Sequence, residues 1–267
     1  MNAKIIVADI DNTLIAKYQD MSAYERNIIN EARSKGFLFG IASGRNLSRC
    51  QWMCKQWGIE VDFYICVNGY ELYDCKEQKS YLGELMKPSW CQEAIELLLP
   101  YDPVITMPAG DKAYVNRIDN YYAKMGNAYH YNHVIVDSLD FFLQPCKKLS
   151  FRMEDDQIEA VDEAILSHPF QDFMLFHTQY NLLETCPKSV SKGNALQKYC
   201  ALKNIPIDHV VAFGDTQNDE DMLAMAGLGV CVANGDDSTK AIADIVSEYD
   251  CEHDAVAHFI EDHLWLR

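Results

Sequence analysis

The chain has 267 residues, 49% of them hydrophobic, so it can bury a full core as one large domain or two smaller ones. Its net charge of −17, with no basic patch to offset it, argues against nucleic acid as a partner and means that an anionic ligand must be held by local charge. No apolar run is long enough to cross a bilayer, no signal-peptide pattern opens the chain, and the ten scattered cysteines show no CxxC or metal-finger spacing, so the protein reads as cytoplasmic with reduced thiols.

The first element is Ala3-Lys4-Ile5-Ile6-Val7-Ala8, a β-branched run that predicts a buried strand. Asp9-Ile10-Asp11-Asn12-Thr13-Leu14 follows where that strand ends. Ligands of an open parallel sheet gather outside the carboxyl ends of its strands. A carboxylate pair there can hold a divalent metal, attack an electrophile, or do both. The bland alternative is a solvated acidic turn. A calcium loop fits less well, because its sixth position would be Leu14 instead of Gly and its twelfth Asp20 instead of Glu.

Ser22 to Lys35 predicts a helix, with Ser22 as N-cap, Glu25 three residues on and Gly36 as the stop. Phe37 to Ala42 is the next strand and ends in Ser43-Gly44-Arg45. A hydroxyl and a glycine between strand and helix seat an anion on backbone N–H groups and a helix N-terminus. Leu47 to Gly58 is a further helix, with Trp52 and Trp57 expected to pack. Phe63 to Val67 is a third strand. Asn68-Gly69 behind it is a hairpin signal, and its closeness to the other strand ends also makes Asn68 a candidate site residue.

From about Leu82 the pattern changes to mixed strands and helices that predict a separate α+β domain. Pro88 to Leu99 is helical, Val104 to Met107 and Ala113 to Arg117 are strands, and Ile118 to Gly126 reads as helical. Lys148 to Met153 is a strand, Asp155 to His168 an amphipathic helix, and Phe173 to His177 with Asn181 to Cys186 a hairpin. The junctions fall near Gly83 and Pro187. The expected division is a core of 1–82 and 188–267 with an insertion of 83–187.

The first pattern then resumes. Ser191-Lys192-Gly193 opens a helix reaching Lys203. A lone lysine at a helix start is usually solvated, but a cation there opposes the macrodipole, so Lys192 is expected to have an anion to meet. Val210 to Phe213 is a strand ending in Gly214-Asp215-Thr216-Gln217-Asn218-Asp219, a second acidic cluster at a strand end. A helix from Asp221, a strand at Leu228 to Val232 and helices at Lys240 to Ala243 and Asp254 to Leu264 complete the chain.

In order, DIDNTL at 9–14, SGR at 43–45, SKG at 191–193 and GDTQND at 214–219 resemble the four motifs of the haloacid dehalogenase superfamily. The long interval between Arg45 and Lys192 is similar to the branch with a large inserted cap, the Cof-type phosphatases, and the stretch from Gly227 to Ile260 resembles that branch's tail. The departures are Asn12 where the family often has Gly, Gly235 where Ala is usual, and Ala255 where Gly is frequent. None of them removes a reactive group.

The resemblance implies an α/β fold, a Rossmann-like doubly wound parallel sheet with an inserted α+β cap that selects substrate. It implies a Mg²⁺-dependent phosphatase of small phosphorylated metabolites, sugar phosphates foremost, acting through an aspartyl-phosphate. It makes Asp9 nucleophile and metal ligand, and Asp11 general acid and then base, with its backbone carbonyl on the metal. Thr13, Ser43, Gly44 and Asn218 then hold the phosphoryl group and Lys192 neutralises it. Asp215 is a metal ligand, and Asp219 a supporting or alternate one. Arg45 either binds substrate or pairs with an acid of the cluster. Spacing by itself does not say which of Asp9 and Asp11 attacks. The need for cations is physical: each like-charge pair at 4 Å costs about 4 kcal/mol at an effective dielectric near 20. A phosphosugar mutase and a phospho-ligand sensor are the competing readings. No membrane partner is expected, and the state is monomer or homodimer. In the cap, Asn116, Arg117, Tyr121, Tyr122 and His177 are candidate substrate readers.

Overall fold

The structure, a computed structural model, describes residues 3–16, 19–109, 112–120, 122 and 132–265. The chain begins with β1 (Ile5–Ala8), α1 (Ala23–Ser34), β2 (Leu38–Ala42), α2 (Leu47–Trp57), β3 (Phe63–Cys66), β4 (Glu71–Asp74) and β5 (Lys79–Leu82). It continues with α3 (Pro88–Leu98), β6 (Val104–Ala109), β7 (Lys112–Val115), β8 (Asn132–Ile135), β9 (Ser150–Arg152), α4 (Ile158–Ser167), β10 (Phe173–Gln179) and β11 (Leu182–Pro187). It ends with α5 (Lys192–Lys203), β12 (Val210–Gly214), α6 (Glu220–Met225), β13 (Leu228–Cys231), α7 (Asp237–Ile242), β14 (Ile245–Val246) and α8 (Ala255–Phe259).

These elements form two compact units, residues 1–83 with 190–267, and residues 84–189. The first is an eight-stranded sheet in the order β14-β13-β12-β1-β2-β3-β4-β5. It is parallel from β14 to β3 and antiparallel beyond. Every residue of β1 is buried, which is why its sequence is apolar on both faces. Ile5 and Val7 share a cluster with Leu196, Tyr199, Met222 and Leu223 of α5 and α6, so Ile6 and Ala8 point to the opposite layer. There α1 meets β2, and α2 meets β3. The chain winds outward from β1 through β2 to β3, then returns to lay β12 on the other side of β1. The switch point therefore lies between β1 and β12, where the fold leaves a crevice at the strand ends.

The second unit is a six-stranded sheet, β10-β11-β9-β6-β7-β8, antiparallel except for β7 with β8. One face is filled by Ile105, Met107, Leu149, Phe151 and Leu183 against Trp90, Ile95 and Leu98 of α3 and Ile158 and Val161 of α4. The architecture is thus α/β, a doubly wound parallel core carrying an α+β insertion. Among the described residues no helix is long and apolar enough to cross a membrane. The ten cysteines form no disulfide.

Several local expectations need correction. Trp57 is buried, but Trp52 is half exposed, with the Arg49 guanidinium over its ring. Ser22 caps α1 by accepting from the Glu25 N–H at 2.9 Å, yet the Glu25 side chain is buried beside Asp254 and Ala257. The strands β5, β8 and β14 were not anticipated, because each is short and more than half of its residues are exposed or half-buried. The helix expected over Ile118 to Gly126, and Tyr121 with it, lies largely outside the described residues.

Candidate active site

The parallel register sets Ala8 beside Phe213, and the Asp9 N–H still donates to the Phe213 carbonyl at 3.1 Å. The first residues past β1 and β12 are therefore neighbours. After Asp9 the chain turns at once: the Ile10 carbonyl accepts from both Leu14 and Ile15. That turn carries Thr13 inward, where its hydroxyl donates to Asp215 Oδ1 at 2.9 Å.

Lys192 enters from the start of α5, whose cap is Ser191. It is fully buried. Its ammonium lies 2.7 Å from Asp9 Oδ1 and 2.7 Å from Asp219 Oδ1. The other oxygen of Asp219 accepts from the backbone N–H groups of Asp215 and Thr216. Asp219 is thereby committed on both sides and aims the lysine. The second oxygens of Asp9 and Asp215 have no hydrogen-bond partner among the described residues.

Ligand atoms of Asp9, Asp215 and Asp219 lie within 4.8 Å of one another, all on buried residues. Three carboxylates face one ammonium. Burial pushes the Asp9 carboxyl up to about 7, Lys192 opposes the rise, and Asp219 and Asp11 add to it. Burial likewise lifts Asp215 well above the usual carboxylate range, with Asp219 and Asp9 adding to it. Burial works to lower the Lys192 pKa, but Asp219 and Asp9 outweigh it and keep the ammonium charged. An excess of buried negative charge with two uncommitted carboxylate oxygens suits a divalent cation.

The Asp11 side chain is bonded to none of these groups among the described residues and acts on Asp9 only through its charge. Arg45 holds it with two bonds, Nε to Oδ2 at 2.8 Å and Nη2 to Oδ1 at 2.6 Å. Of the two roles open to Arg45, substrate binding or pairing with an acid, the structure holds the second, in which a planar guanidinium matches a carboxylate bidentately. Ser43 is buried and its hydroxyl accepts from the Arg45 N–H at 3.3 Å. The Asn218 amide donates to Asn68 Oδ1 at 3.2 Å. Of the sequence candidates, direct bonds join Asp9, Thr13, Lys192, Asp215 and Asp219; Asp11 and Arg45 form a pair of their own; Asn218 meets Asn68. Two supporting residues had no sequence signal: Asp221 accepts from the Gly193 N–H at 3.0 Å, and Asn234 donates to the Asn12 carbonyl at 2.8 Å.

The family model for haloacid dehalogenase-like hydrolases matches residues 6–260. The chain belongs to the haloacid dehalogenase-like hydrolases. Among curated relatives, the pyridoxal phosphate phosphatase YbhA of Escherichia coli is 27% identical, over 99% of this chain and 100% of its own. The 5-amino-6-(5-phospho-D-ribitylamino)uracil phosphatase YcsE of Bacillus subtilis is 26% identical, over 97% and 95%. Among solved structures, a haloacid dehalogenase-like hydrolase from B. subtilis superposes with a TM-score of 0.82 at 22% identity, covering 97% of this chain and 99% of that one.

Two departures of this haloacid dehalogenase-like chain from the usual motifs have visible causes. Asn12 adopts a left-handed φ of 62°, a conformation that Gly takes freely and Asn tolerates best among the others. At Gly235 a Cβ would come within 2.4 Å of the Cys231 sulfur, so the thiol fills the space of an alanine methyl.

Proposed function

We propose that this haloacid dehalogenase-like phosphatase is a Mg²⁺-dependent hydrolase of small phosphate monoesters that works through an aspartyl-phosphate on Asp9. The observation that carries the reading is the buried cluster of three carboxylates around Lys192 at the ends of β1 and β12. Asp9 and Asp215, with the Asp11 backbone carbonyl, would hold the metal, with Asp219 behind them. When bound, the cation supplies positive charge against the phosphate dianion and the developing charge of the transition state.

The protein's own residues account for the rest. Asp9 attacks phosphorus with one carboxylate oxygen, leaving the other for the cation, and the bond to the ester oxygen breaks. Asp11 delivers a proton to the leaving oxygen, then takes one from the water that attacks the phosphorus of the Asp9 phosphoester. That second attack restores the Asp9 carboxylate and releases phosphate. Arg45 occupies both carboxyl oxygens of Asp11, so proton delivery to the leaving oxygen requires the pair to open. Lys192 and the Ser43–Gly44 turn offer donors to the phosphoryl oxygens. The substrate class draws support from relatives that bear the names of phosphatases of pyridoxal phosphate and of a phosphoribitylamino-uracil. Sugar phosphates remain the first class to screen.

The test is a panel of phosphorylated metabolites assayed for phosphate release with Mg²⁺, with EDTA, and with Mg²⁺ restored. Turnover that appears with Mg²⁺ and vanishes with EDTA is expected. Full turnover by metal-free enzyme overturns the metal assignment, and interconversion of sugar phosphates without phosphate release would make the protein a mutase.

A further inference from the structure

The Val67-Asn68-Gly69 turn lies beside the cluster, and no step above uses it. All three residues have left-handed φ, 51°, 55° and 103°. Asn and Gly tolerate this, but a β-branched valine there is an outlier that the surroundings must impose. A hairpin joining β3 to β4 needs no such run, since short hairpins turn on one or two residues of positive φ.

The surroundings are the motif loops of the site. The Val67 N–H donates to the Arg45 carbonyl at 2.9 Å, and the Asn68 N–H to the Ser43 carbonyl at 3.1 Å. The Asn68 side chain, 3% exposed, reaches a residue 150 positions away and accepts the Asn218 amide. A Cβ on Gly44 would already lie 3.0 Å from Asn68 Oδ1, and one on Gly69 would lie 2.0 Å from the Ser191 carbonyl oxygen. The turn is therefore wedged among Ser43-Gly44-Arg45, the residue that caps the Lys192 helix, and Asn218. A residue that merely made a hairpin would turn its amide to solvent or to its own backbone.

Resting on the phosphatase reading, we infer that Asn68 is a positioning residue, which fixes the spacing between the Ser43–Gly44 anion seat and Asn218 so that both meet the same phosphoryl group. Its amide acts by holding Asn218 in place, and its left-handed backbone aims its N–H at the Ser43 carbonyl, beside the Val67 N–H on the Arg45 carbonyl.

Asn68→Gly separates the two roles, because glycine keeps the left-handed backbone and loses the amide. With p-nitrophenyl phosphate and Mg²⁺, the variant should melt within a few degrees of wild type. Its kcat/KM should fall roughly tenfold or more, and inorganic phosphate should inhibit it correspondingly less. Asn218→Ala should show a similar loss. The double variant should be no worse than about threefold below the weaker single, since both remove one contact. Losses that multiply, or an Asn68→Gly enzyme with wild-type kcat/KM and phosphate inhibition, overturn the assignment. Should Asn68→Gly fold poorly, Asn218→Ala carries the test alone: unchanged phosphate inhibition in it also overturns the assignment. A wild-type protein that neither hydrolyses the ester nor binds phosphate overturns the phosphatase reading, and this one with it.

Discussion

Each unit buries a lysine, and the two lysines are handled differently. In the core, Lys192 faces three carboxylates, Asp9, Asp215 and Asp219. In the insertion, Lys148 meets Glu184 at 2.5 Å, with the Ser150 hydroxyl 3.3 Å from the same oxygen. Among the described residues the second group is balanced, one charge of each sign. The first is not, and burial forces Asp9 and Asp215 upward in pKa. A balanced buried pair is explained by the fold that satisfies it. An unbalanced one is a cost with no internal offset, and it points to a ligand of the missing sign.

The largest effect should come from the unbalanced cluster. Asp9→Asn replaces the proposed nucleophile with an amide and should lower kcat on p-nitrophenyl phosphate by at least about 10⁴-fold, on the scale of nucleophile knockouts in other hydrolases. Asp11→Asn should retain more activity on that substrate, whose leaving group needs little protonation. Stopped-flow or end-point phosphate release decides it, and an Asp9→Asn enzyme as fast as wild type would mean the nucleophile lies elsewhere.

Another buried acid sharpens the contrast, since Glu25 meets no cation among the described residues. Burial pushes its carboxyl from 4.5 up to about 8, with Asp254 adding to the rise and the Ala257 backbone opposing it. The folded state therefore binds this proton more tightly than the unfolded chain. Its contribution to stability is full below pH 4.5, declines between 4.5 and 8, and is flat above. At about 1.4 kcal/mol per unit the loss is bounded near ~5 kcal/mol. Glu25→Gln should match wild type in melting temperature near pH 4.5 and exceed it increasingly toward pH 8. A constant difference across that range would show that Glu25 does not titrate there.

The balanced pair makes the opposite demand. Lys148→Met leaves Glu184 buried without its cation and should cost roughly 3–5 kcal/mol, whereas Lys148→Met with Glu184→Leu should recover most of it. Urea unfolding of the three proteins measures this. If the double variant is as unstable as the single, the pair does more than balance charge.

The same contrast explains what could be read from the chain. The strand ends were legible because β1, β2, β3 and β12 are buried on both faces and so stand out as apolar runs, each followed by polar motif residues. Asp9 and Asp215 stood out as charge at the ends of such runs, and Lys192 as a cation at a helix start, against the macrodipole. What depends on contacts across the fold was not legible. Pairing with an acid was one of two roles open to Arg45, but nothing near it in the sequence singles out Asp11, nor does anything near Asn68 announce a bond to Asn218. Lys148 and Glu184 look like surface charges in alternating strands. In the insertion the polar residues offered as substrate readers have local work. Asn116 holds the Ile105 N–H and the Pro103 carbonyl, Arg117 binds Asp102, and His177 meets Asp162. Glu25 followed a capping pattern, yet tertiary burial took its side chain elsewhere.

The smallest effect tests the comparison most directly, because it asks each cluster whether it lacks a cation. A ligand that binds only the folded state stabilises it by RT ln(1 + [L]/Kd), or about 2.7 kcal/mol at a hundredfold excess over Kd. For a protein of this size each kcal/mol moves the melting temperature by about 2–4 °C. Millimolar Mg²⁺ should therefore raise the transition of the metal-free protein by about 5 °C or more, and Ca²⁺ should do less, since it prefers more ligands and looser geometry. Asp215→Asn should at least halve the response, because it removes an uncommitted carboxylate oxygen. The same substitution should raise the melting temperature of the metal-free protein, since one of three mutually repelling buried acids is gone. The Lys148→Met, Glu184→Leu protein should respond to Mg²⁺ as wild type does. Differential scanning fluorimetry of these three proteins with and without Mg²⁺ gives all the numbers. If Asp215→Asn keeps the full Mg²⁺ response, or melts lower than wild type without metal, then the core cluster is not waiting for a cation, and its excess of acid needs another explanation.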